Sequence, residues 1–291
     1  MLRHIPVLAQ EIYDNLPENW IYWFDGTFWH GGHAEFFLEH EKEKRAIDWI
    51  KIVWTDVDAL MIKKAKELTS AYEKNIEIHQ GSYASVLDFA DEWFDYMLLD
   101  LGVNLEHFKD GSRWFSIKTD APLDMRFNQS SWVTAEEWLM KTKPIEIQNA
   151  LIKYWDFSEK TAEYLTKLFC ERREKSPFKT TFQLKDFLME HHFNQKKVAV
   201  IFQVIRIMVN QELEQLEQFL SSFPKWLKKA WRCFIITYHS VEDRITKNAF
   251  KALAETWEFV LVNKKVIVPH YTEVQRNKAA RSAKLRIIEK L

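Results

Sequence analysis

The stretch Phe24-Asp25-Gly26-Thr27-Phe28-Trp29-His30-Gly31-Gly32-His33, running on into Ala34-Glu35-Phe36-Phe37-Leu38, decides the fold. The apolar run Ile21-Tyr22-Trp23-Phe24 ends in Asp25, a glycine-bearing turn follows, and apolar residues then recur at helical spacing. That order reads strand, tight loop, helix. In an open α/β sheet the first such crossover is where a nucleotide-like ligand binds. Glycines let the backbone approach the ligand, and the helix N-terminus offers N–H groups. The spacings GxxxxGK[ST] and GxGxxG of phosphate loops and dinucleotide folds are absent. What is left suits a ligand without phosphates, such as S-adenosylmethionine. The plain alternative is an ordinary strand-to-helix turn.

Working outward, Ile52-Val53-Trp54-Thr55 is a second apolar run and ends in Asp56-Val57-Asp58. A carboxylate at the end of the second strand is placed to accept hydrogen bonds from both ribose hydroxyls of an adenosine. Asp58 also suits an N-cap for a helix over 59–68, so the two roles divide as Asp56 binding and Asp58 capping. Ile76-Glu77-Ile78-His79 is a third strand, followed by Gly81-Ser82-Tyr83. Tyr83 reads as lying against the adenine or as a half-buried surface aromatic. The run Phe94 to Val103 is the fourth strand, and Asp100 closes its fully apolar part at the carboxyl edge of the sheet. An unpaired acid there costs stability, which favours a functional reading.

The remaining elements follow the same signals. Residues 4–16 read as a short lead-in helix, and 200–219 as one long helix with apolar residues at helical spacing. Cys233 to Tyr238 is a fifth strand, and 264–269 and 283–288 suit the last two. Ser240-Val241-Glu242-Asp243 satisfies an N-cap with an acid three residues on. That makes capping the simplest role for Asp243 and leaves His239 and Arg244 as candidates for the substrate mouth.

Composition bounds the class. The chain has 291 residues and 47% apolar residues, enough for one large domain or two small ones with a proper core. The formal net charge of −1 gives no global basic signature for nucleic acid, although a local patch suffices for RNA. Cys170 and Cys233 form no CxxC pair, so neither a disulfide framework nor a zinc site is implied, and a reducing cytosol fits. His191-His192 lacks partners at ligand spacing, so no metal site is expected. No signal peptide or membrane-length apolar run is seen, and a cytoplasmic location without membrane contact is expected.

Taken in order, Asp25-Gly26-Thr27, Gly31-Gly32-His33, Asp56-Val57-Asp58 and Leu99-Asp100-Leu101-Gly102-Val103 resemble the RsmH/MraW family. These are S-adenosylmethionine-dependent 16S rRNA (cytosine-N4)-methyltransferases. More distinctive blocks agree, among them Arg113-Trp114-Phe115-Ser116, Pro122-Leu123-Asp124-Met125-Arg126 and Ala135-Glu136-Glu137-Trp138-Leu139. Further on, Phe202 to Asn210 with Glu212-Leu213, His239 to Arg244 and Asn277 to Arg286 complete the set. The resemblance covers nearly the whole chain.

It implies an α/β fold: a Rossmann-like methyltransferase sheet formed by residues 1–127 and 198–291, with an inserted all-helical RNA-recognition domain at 128–197. It implies S-adenosyl-L-methionine as cofactor and methyl transfer to the exocyclic N4 of a cytosine in the decoding region of 16S rRNA. The partner would be 16S rRNA or the small ribosomal subunit, and not DNA. Asp-Leu-Gly-Val stands where N4-amine methyltransferases of DNA commonly carry Asp/Ser-Pro-Pro-Tyr. By resemblance Gly31, Gly32 and His33 contact the cofactor, Asp56 its ribose, Tyr83 the adenosine region, and Asp100 the methionine or amine side, with Asp100 as the catalytic residue. His107 is carried over as a cofactor contact, although the family usually has Gln there, as it usually has Phe in place of Tyr83.

The basic residues of the helical segment cluster as Lys141 and Lys143, then Arg172, Arg173, Lys175 and Lys179, then Lys196 and Lys197. Each cluster alone reads as a solvated face; together they read as a phosphate-binding surface. Two other function classes compete with the enzyme. One is a catalytically impaired RNA- or nucleotide-binding protein on the same fold, and the other is a small-molecule methyltransferase.

The first competitor rests on Trp29, which stands where the family has glycine. So do Trp114, Trp132, Trp155 and Trp231, with Trp54 a further candidate. The chain has 6 glycines and 13 tryptophans, nineteen together, whereas average usage predicts roughly 20 glycines alone. The pattern suggests a gene in which UGA encodes glycine, translated here as tryptophan. The alternative is that the tryptophans are real and the loops have rearranged.

Overall fold

The computed structural model describes residues 6–27, 29, 31–86, 92–102, 119–130, 133–155 and 157–291. They divide into two compact units, residues 1–102 with 214–291, and residues 103–213.

The first unit is built on seven strands: β1 Tyr22–Asp25, β2 Lys51–Asp56, β3 Ile76–Gln80, β4 Phe94–Asp100, β5 Leu227–Thr237, β6 Phe259–Leu261 and β7 Lys284–Lys290. Their order is β3-β2-β1-β4-β5-β7-β6. β1 to β5 are mutually parallel, and β7 runs antiparallel between β5 and β6. The chain winds outward from β1 to β3, then returns to the other side of β1 to lay down β4. That reversal opens a crevice at the carboxyl ends of β1 and β4, the topological switch point where open α/β sheets take ligands.

Alternation along each strand divides the core between the two faces. Trp23, Trp54, Tyr96, Leu98, Phe234 and Ile236 face one side and are covered by Ile12 of α1 (Ala9–Tyr13) and by Phe37 and Leu38 of α2 (Gly32–Lys42). Phe24, Val53, Met97, Leu99, Cys233 and Ile235 face the other. There Phe219 of α10 (Glu212–Ser222) and Phe250 of α11 (Ser240–Glu255) cover them. β4 is buried along its whole length, which is why Tyr96 to Leu99 read as an unbroken apolar run. Each large apolar side chain buried this way contributes about 1.5–3 kcal/mol. Trp23 stacks on Tyr96 across β1 and β4 at 4.8 Å.

One strand and one helix differ from expectation. The sixth strand is Phe259–Leu261, not 264–269, where Ile267 makes only a single bridge to Leu285. Asn263 explains the loop: its side chain donates to the carbonyls of Lys265 and Leu285 and accepts from Ile287 N–H, replacing ladder bonds with side-chain ones. The lead-in helix is also shorter than 4–16, one turn over Ala9–Tyr13.

In the second unit the helices are α5 Ala135–Lys141, α6 Pro144–Trp155, α7 Glu159–Lys175, α8 Thr181–Glu190 and α9 Gln195–Asn210. Side-chain caps start four of them. Thr134 forms a capping box with Glu137, and Ser158, Thr180 and Asn194 each accept from a first-turn N–H. α9, expected as part of the continuous helix 200–219, packs with α5, α6 and α8 in this unit. That helix is two. Gln211 sits in the left-handed region at φ 51° and separates α9 from α10. Asn210 ends α9 by donating to Met125 O and accepting from Phe127 N–H, and Arg206 spans the break with two bonds to Glu212 at 2.8 and 2.9 Å. The packing unit thus takes in residues on both sides of 128–197.

Candidate functional site

Three carboxylates close three neighbouring strands at the switch point: Asp25 on β1, Asp100 on β4 and Asp56 on β2. Asp25 and Asp100 are buried. Burial pushes the Asp25 carboxyl up to about 7, against the pull of the Thr27 N–H that it accepts. Burial pushes Asp100 up to about 8; the Tyr238 hydroxyl opposes this, and the charges of Asp25, Glu242 and Glu273 add to it. A pocket that resists its own negative charges is suited to a cation.

The turn after β1 explains how the chain makes room. A Cβ on Gly26 would lie 2.3 Å from Leu99 Cδ2 and 2.6 Å from Tyr83 Cβ, so only glycine lets this turn nest against β4 and the short helix α4, Tyr83–Val86. Gly31 has φ 74° and caps α2, whose first residue is Gly32. The start of α2 therefore faces the strand ends with the N–H groups of a helix N-terminus.

The other expected residues fall into place unevenly. His33 is in the first turn of α2, but its side chain is buried and Nε2 donates to Val7 O at 2.9 Å. The ring ties the lead-in segment to α2, which leaves the backbone at this position to meet a ligand. Asp56 Oδ1 accepts from Asp58 N–H at 2.8 Å, and Asp58 caps α3 (Ala59–Leu68) by accepting from Leu60 and Met61 N–H. The Tyr83 ring packs edge-on against Phe219 at 5.9 Å. Gly31, Gly32, His33, Asp56, Tyr83 and Asp100 all lie on the carboxyl edge of the first unit. His107, Trp114 and Trp132 lie outside the described residues.

Asp243 does not cap α11. The cap is His239, in a capping box with Glu242, and Asp243 instead pairs with Arg286 at 2.7 Å and Lys284 at 3.2 Å, joining α11 to β7. His239 is engaged at the helix start, with Nε2 2.8 Å from Glu242 Oε1.

Two contacts escaped the sequence reading. Tyr238 Oη donates to Asp100 Oδ1 at 2.7 Å, and Trp29 Nε1 donates to Asp100 O at 2.8 Å. Nothing in the sequence relates positions 138 residues apart. Asp25, the third acid of the group, ends an apolar run just as Asp100 does.

Of the eight clustered basic residues of the helical unit, four are engaged. Arg172 lies over the rings of Phe178 and Phe187, Arg173 donates to Thr142 O, Lys141 pairs with Glu137, and Lys179 pairs with Glu136. Lys143, Lys175, Lys196 and Lys197 are exposed.

The donor set fits S-adenosylmethionine: paired carboxylates for its cationic part, a carboxylate at the end of β2 for its ribose, and a glycine cradle at the turn. Among solved structures, the fold is similar to that of the N-methyltransferase NodS from Bradyrhizobium japonicum in complex with S-adenosyl-L-homocysteine. That match has a TM-score of 0.43 and 9% identity, and covers 99% of this chain and 90% of that one. Ribosomal RNA small subunit methyltransferase H from Picosynechococcus sp. is 32% identical over 296 residues, 99% of this chain and 96% of that protein. Proteins of the same name from Wolbachia sp. subsp. Drosophila simulans and Elusimicrobium minutum are 32% and 33% identical, over 100% and 99% of this chain and 100% and 98% of theirs. The model of the MraW methylase family matches residues 1–291, and the chain belongs to that family of S-adenosylmethionine-dependent methyltransferases.

Proposed function

We propose that this protein transfers the methyl group of S-adenosylmethionine to the exocyclic N4 of a cytosine in the decoding region of 16S rRNA, within a small-subunit particle. The observation that carries the RNA substrate is the full-length similarity to proteins named Ribosomal RNA small subunit methyltransferase H. The N4 position is supported by the chemistry of Asp100. An exocyclic amine is a poor nucleophile because its lone pair is delocalised into the ring, so it needs acceptors for its hydrogens and an in-line approach to the methyl group. When bound, the cofactor would supply an electrophilic methyl group on its sulfonium, leaving as the neutral thioether when N4 takes the methyl, and the proton that N4 then loses would pass to Asp100 or to solvent.

This chain's residues then have distinct tasks. Asp56 accepts the ribose hydroxyls, and the N-terminus of α2 and the Gly31-Gly32 turn receive the cofactor backbone. Tyr83 borders the adenosine, and His107 is a further cofactor contact by resemblance. Asp100 orients the amine. The helical unit, at 128–197 in the domain division proposed from sequence, engages RNA through its exposed lysines. The test is nucleoside analysis of small-subunit particles after incubation with enzyme and cofactor. N4-methylcytidine is expected; a product methylated only at C5 or at a 2′-oxygen would overturn the assignment.

A second reading is favoured by one contact. The Trp29 indole sits on the carbonyl of Asp100, where it competes for cofactor space. As written, the chain would then be a catalytically impaired RNA- or nucleotide-binding protein. Calorimetry separates the two, because that reading requires no cofactor binding.

A further inference from the structure

Tyr238 follows β5 directly, and β5 is the neighbour of β4 in the sheet. The pairing brings Ile236 opposite Asp100, and Leu101 N–H donates to Ile236 O at 3.0 Å, so the two strand ends leave the sheet together. From there Tyr238 reaches back across the strand ends. Its hydroxyl donates to Asp100 Oδ1, and its ring lies on Gly102, where an added Cβ would come within 3.2 Å of Cδ2. Gly102 has φ +110°, a conformation open to glycine. The tyrosine is itself held: its N–H donates to Glu242 Oε2 at 3.0 Å, inside the capping box that starts α11.

We propose that Tyr238 is the positioning residue for Asp100: its hydroxyl holds the carboxylate in the orientation that accepts the substrate amine, and its ring fixes the turn leaving β4. This rests on the reading of Asp100 as the group that meets the amine. In this role Tyr238 acts through Asp100. Burial holds its phenol well above the ordinary tyrosine value, so it remains a donor throughout the working range. A donor to a carboxylate favours the ionised, accepting form. The other groups acting on Asp100, namely Asp25 from β1, Glu242 from α11 and Glu273 from the helix Tyr271–Arg276 (α12), are acids and push the opposite way.

Tyr238→Phe keeps the ring on Gly102 and removes only the hydroxyl. In ligand-free protein with carbon-13-labelled aspartate, the Asp100 carboxyl should titrate about one pH unit or more higher in the variant. With cofactor and ribosomal particles, kcat at pH 7 should fall about tenfold while KM for cofactor stays within about twofold, and the acid limb of the pH–rate profile should move up. A Tyr238→Phe protein with unmoved Asp100 titration and wild-type kcat overturns the proposal. Asp100→Asn, measured alongside, separates the two levels. If it turns over like wild type, the reading of Asp100 fails and this proposal with it. If it is impaired while Tyr238→Phe is normal, only the role of Tyr238 fails.

Discussion

The indole N–H of Trp29 donates to the backbone carbonyl of Asp100 across 2.8 Å, pinning the loop after β1 to the end of β4. Trp29 does so from φ 52°, in the left-handed region that costs a residue with a Cβ roughly 1–2 kcal/mol. Trp257 is in the same region at φ 64° and is 87% exposed, so it has little packing to compensate. Both backbones are of the kind glycine adopts freely, which agrees with glycine as the encoded residue. Trp29→Gly should therefore bind S-adenosylhomocysteine at least about tenfold more tightly in a calorimeter, roughly 1.4 kcal/mol. Trp257→Gly should raise stability by about 1 kcal/mol in denaturant unfolding without touching affinity. UGG codons at both positions, or a Trp29→Gly protein that binds no better, would refute the recoding idea.

Asp100 gives a pH signature in the ligand-free protein. Its carboxyl is raised from 3.8 to about 8 and that of Asp25 from 3.8 to about 7, so the folded state binds more protons than the unfolded one between those limits. The stabilisation from these groups is fully present below about pH 4 and is lost as pH rises through about 7 to 8. Asp100→Asn carries no ionisable proton, so its Tm should gain on wild type across pH 4 to 8 and hold that advantage above. Turnover should fall by about a hundredfold or more. A constant Tm difference across the pH range would contradict the buried, raised carboxyl.

Binding of a cation at these acids should drive off a proton. Calorimetry of cofactor binding at pH 7 in two buffers of different ionisation enthalpy should show net proton release, and Asp100→Asn should reduce it. Equal apparent enthalpies in the two buffers would mean that the cationic part of the cofactor lies elsewhere.

Asp56→Ala should act on affinity rather than chemistry. Losing a charged acceptor for ribose hydroxyls costs about 1.5–3 kcal/mol, roughly 10- to 100-fold in Kd. The N–H of Asp58 also loses its partner, with a small stability loss at the start of α3. Unchanged cofactor affinity in this variant would move the ribose away from β2.

Asp95, five residues before Asp100 on the same strand, is the contrasting case. Its oxygens accept from Ile21 N–H at 2.6 Å, Tyr22 N–H at 2.8 Å and Lys228 Nζ at 2.7 Å, stapling β1 and β5 to β4 at the end away from the site. Asp95→Ala should cost about 3 kcal/mol in unfolding experiments and leave cofactor Kd unchanged, provided the protein remains folded at the assay temperature. Tyr96→Phe should do the reverse and stabilise by about 1 kcal/mol, because the Tyr96 hydroxyl is buried without a hydrogen-bond partner among the described residues.

The strand ends and glycine turns that make up the candidate site are local signals, legible in the sequence. Asp56 and Asp100 each close an apolar run, and Gly31 precedes a helical pattern; each reading needed only a few consecutive residues. The roles of Asp243 and of the arginines were not legible. Asp243 has the spacing of a capping acid, yet its partners are Arg286 and Lys284, about forty residues away on β7. Arg172 and Arg173 look like a phosphate cluster, but one lies over Phe178 and Phe187 and the other donates to Thr142 O. A side chain that can serve a neighbour or a ligand has the same letter in both cases.

The sequence by itself determined the parallel strands, the order of the first crossovers and the resemblance that names the chemistry. These follow from hydrophobic period and from residue types whose backbone preferences are intrinsic. Tertiary structure decided what depended on meeting across the sheet. It split the helix at Gln211 through Asn210 and its grip on Met125 and Phe127, moved the sixth strand forward to Phe259, and set Tyr238 on Asp100. Hydrogen bonds between residues far apart in the chain form only once strand order and register have brought the partners together, and no local pattern records them.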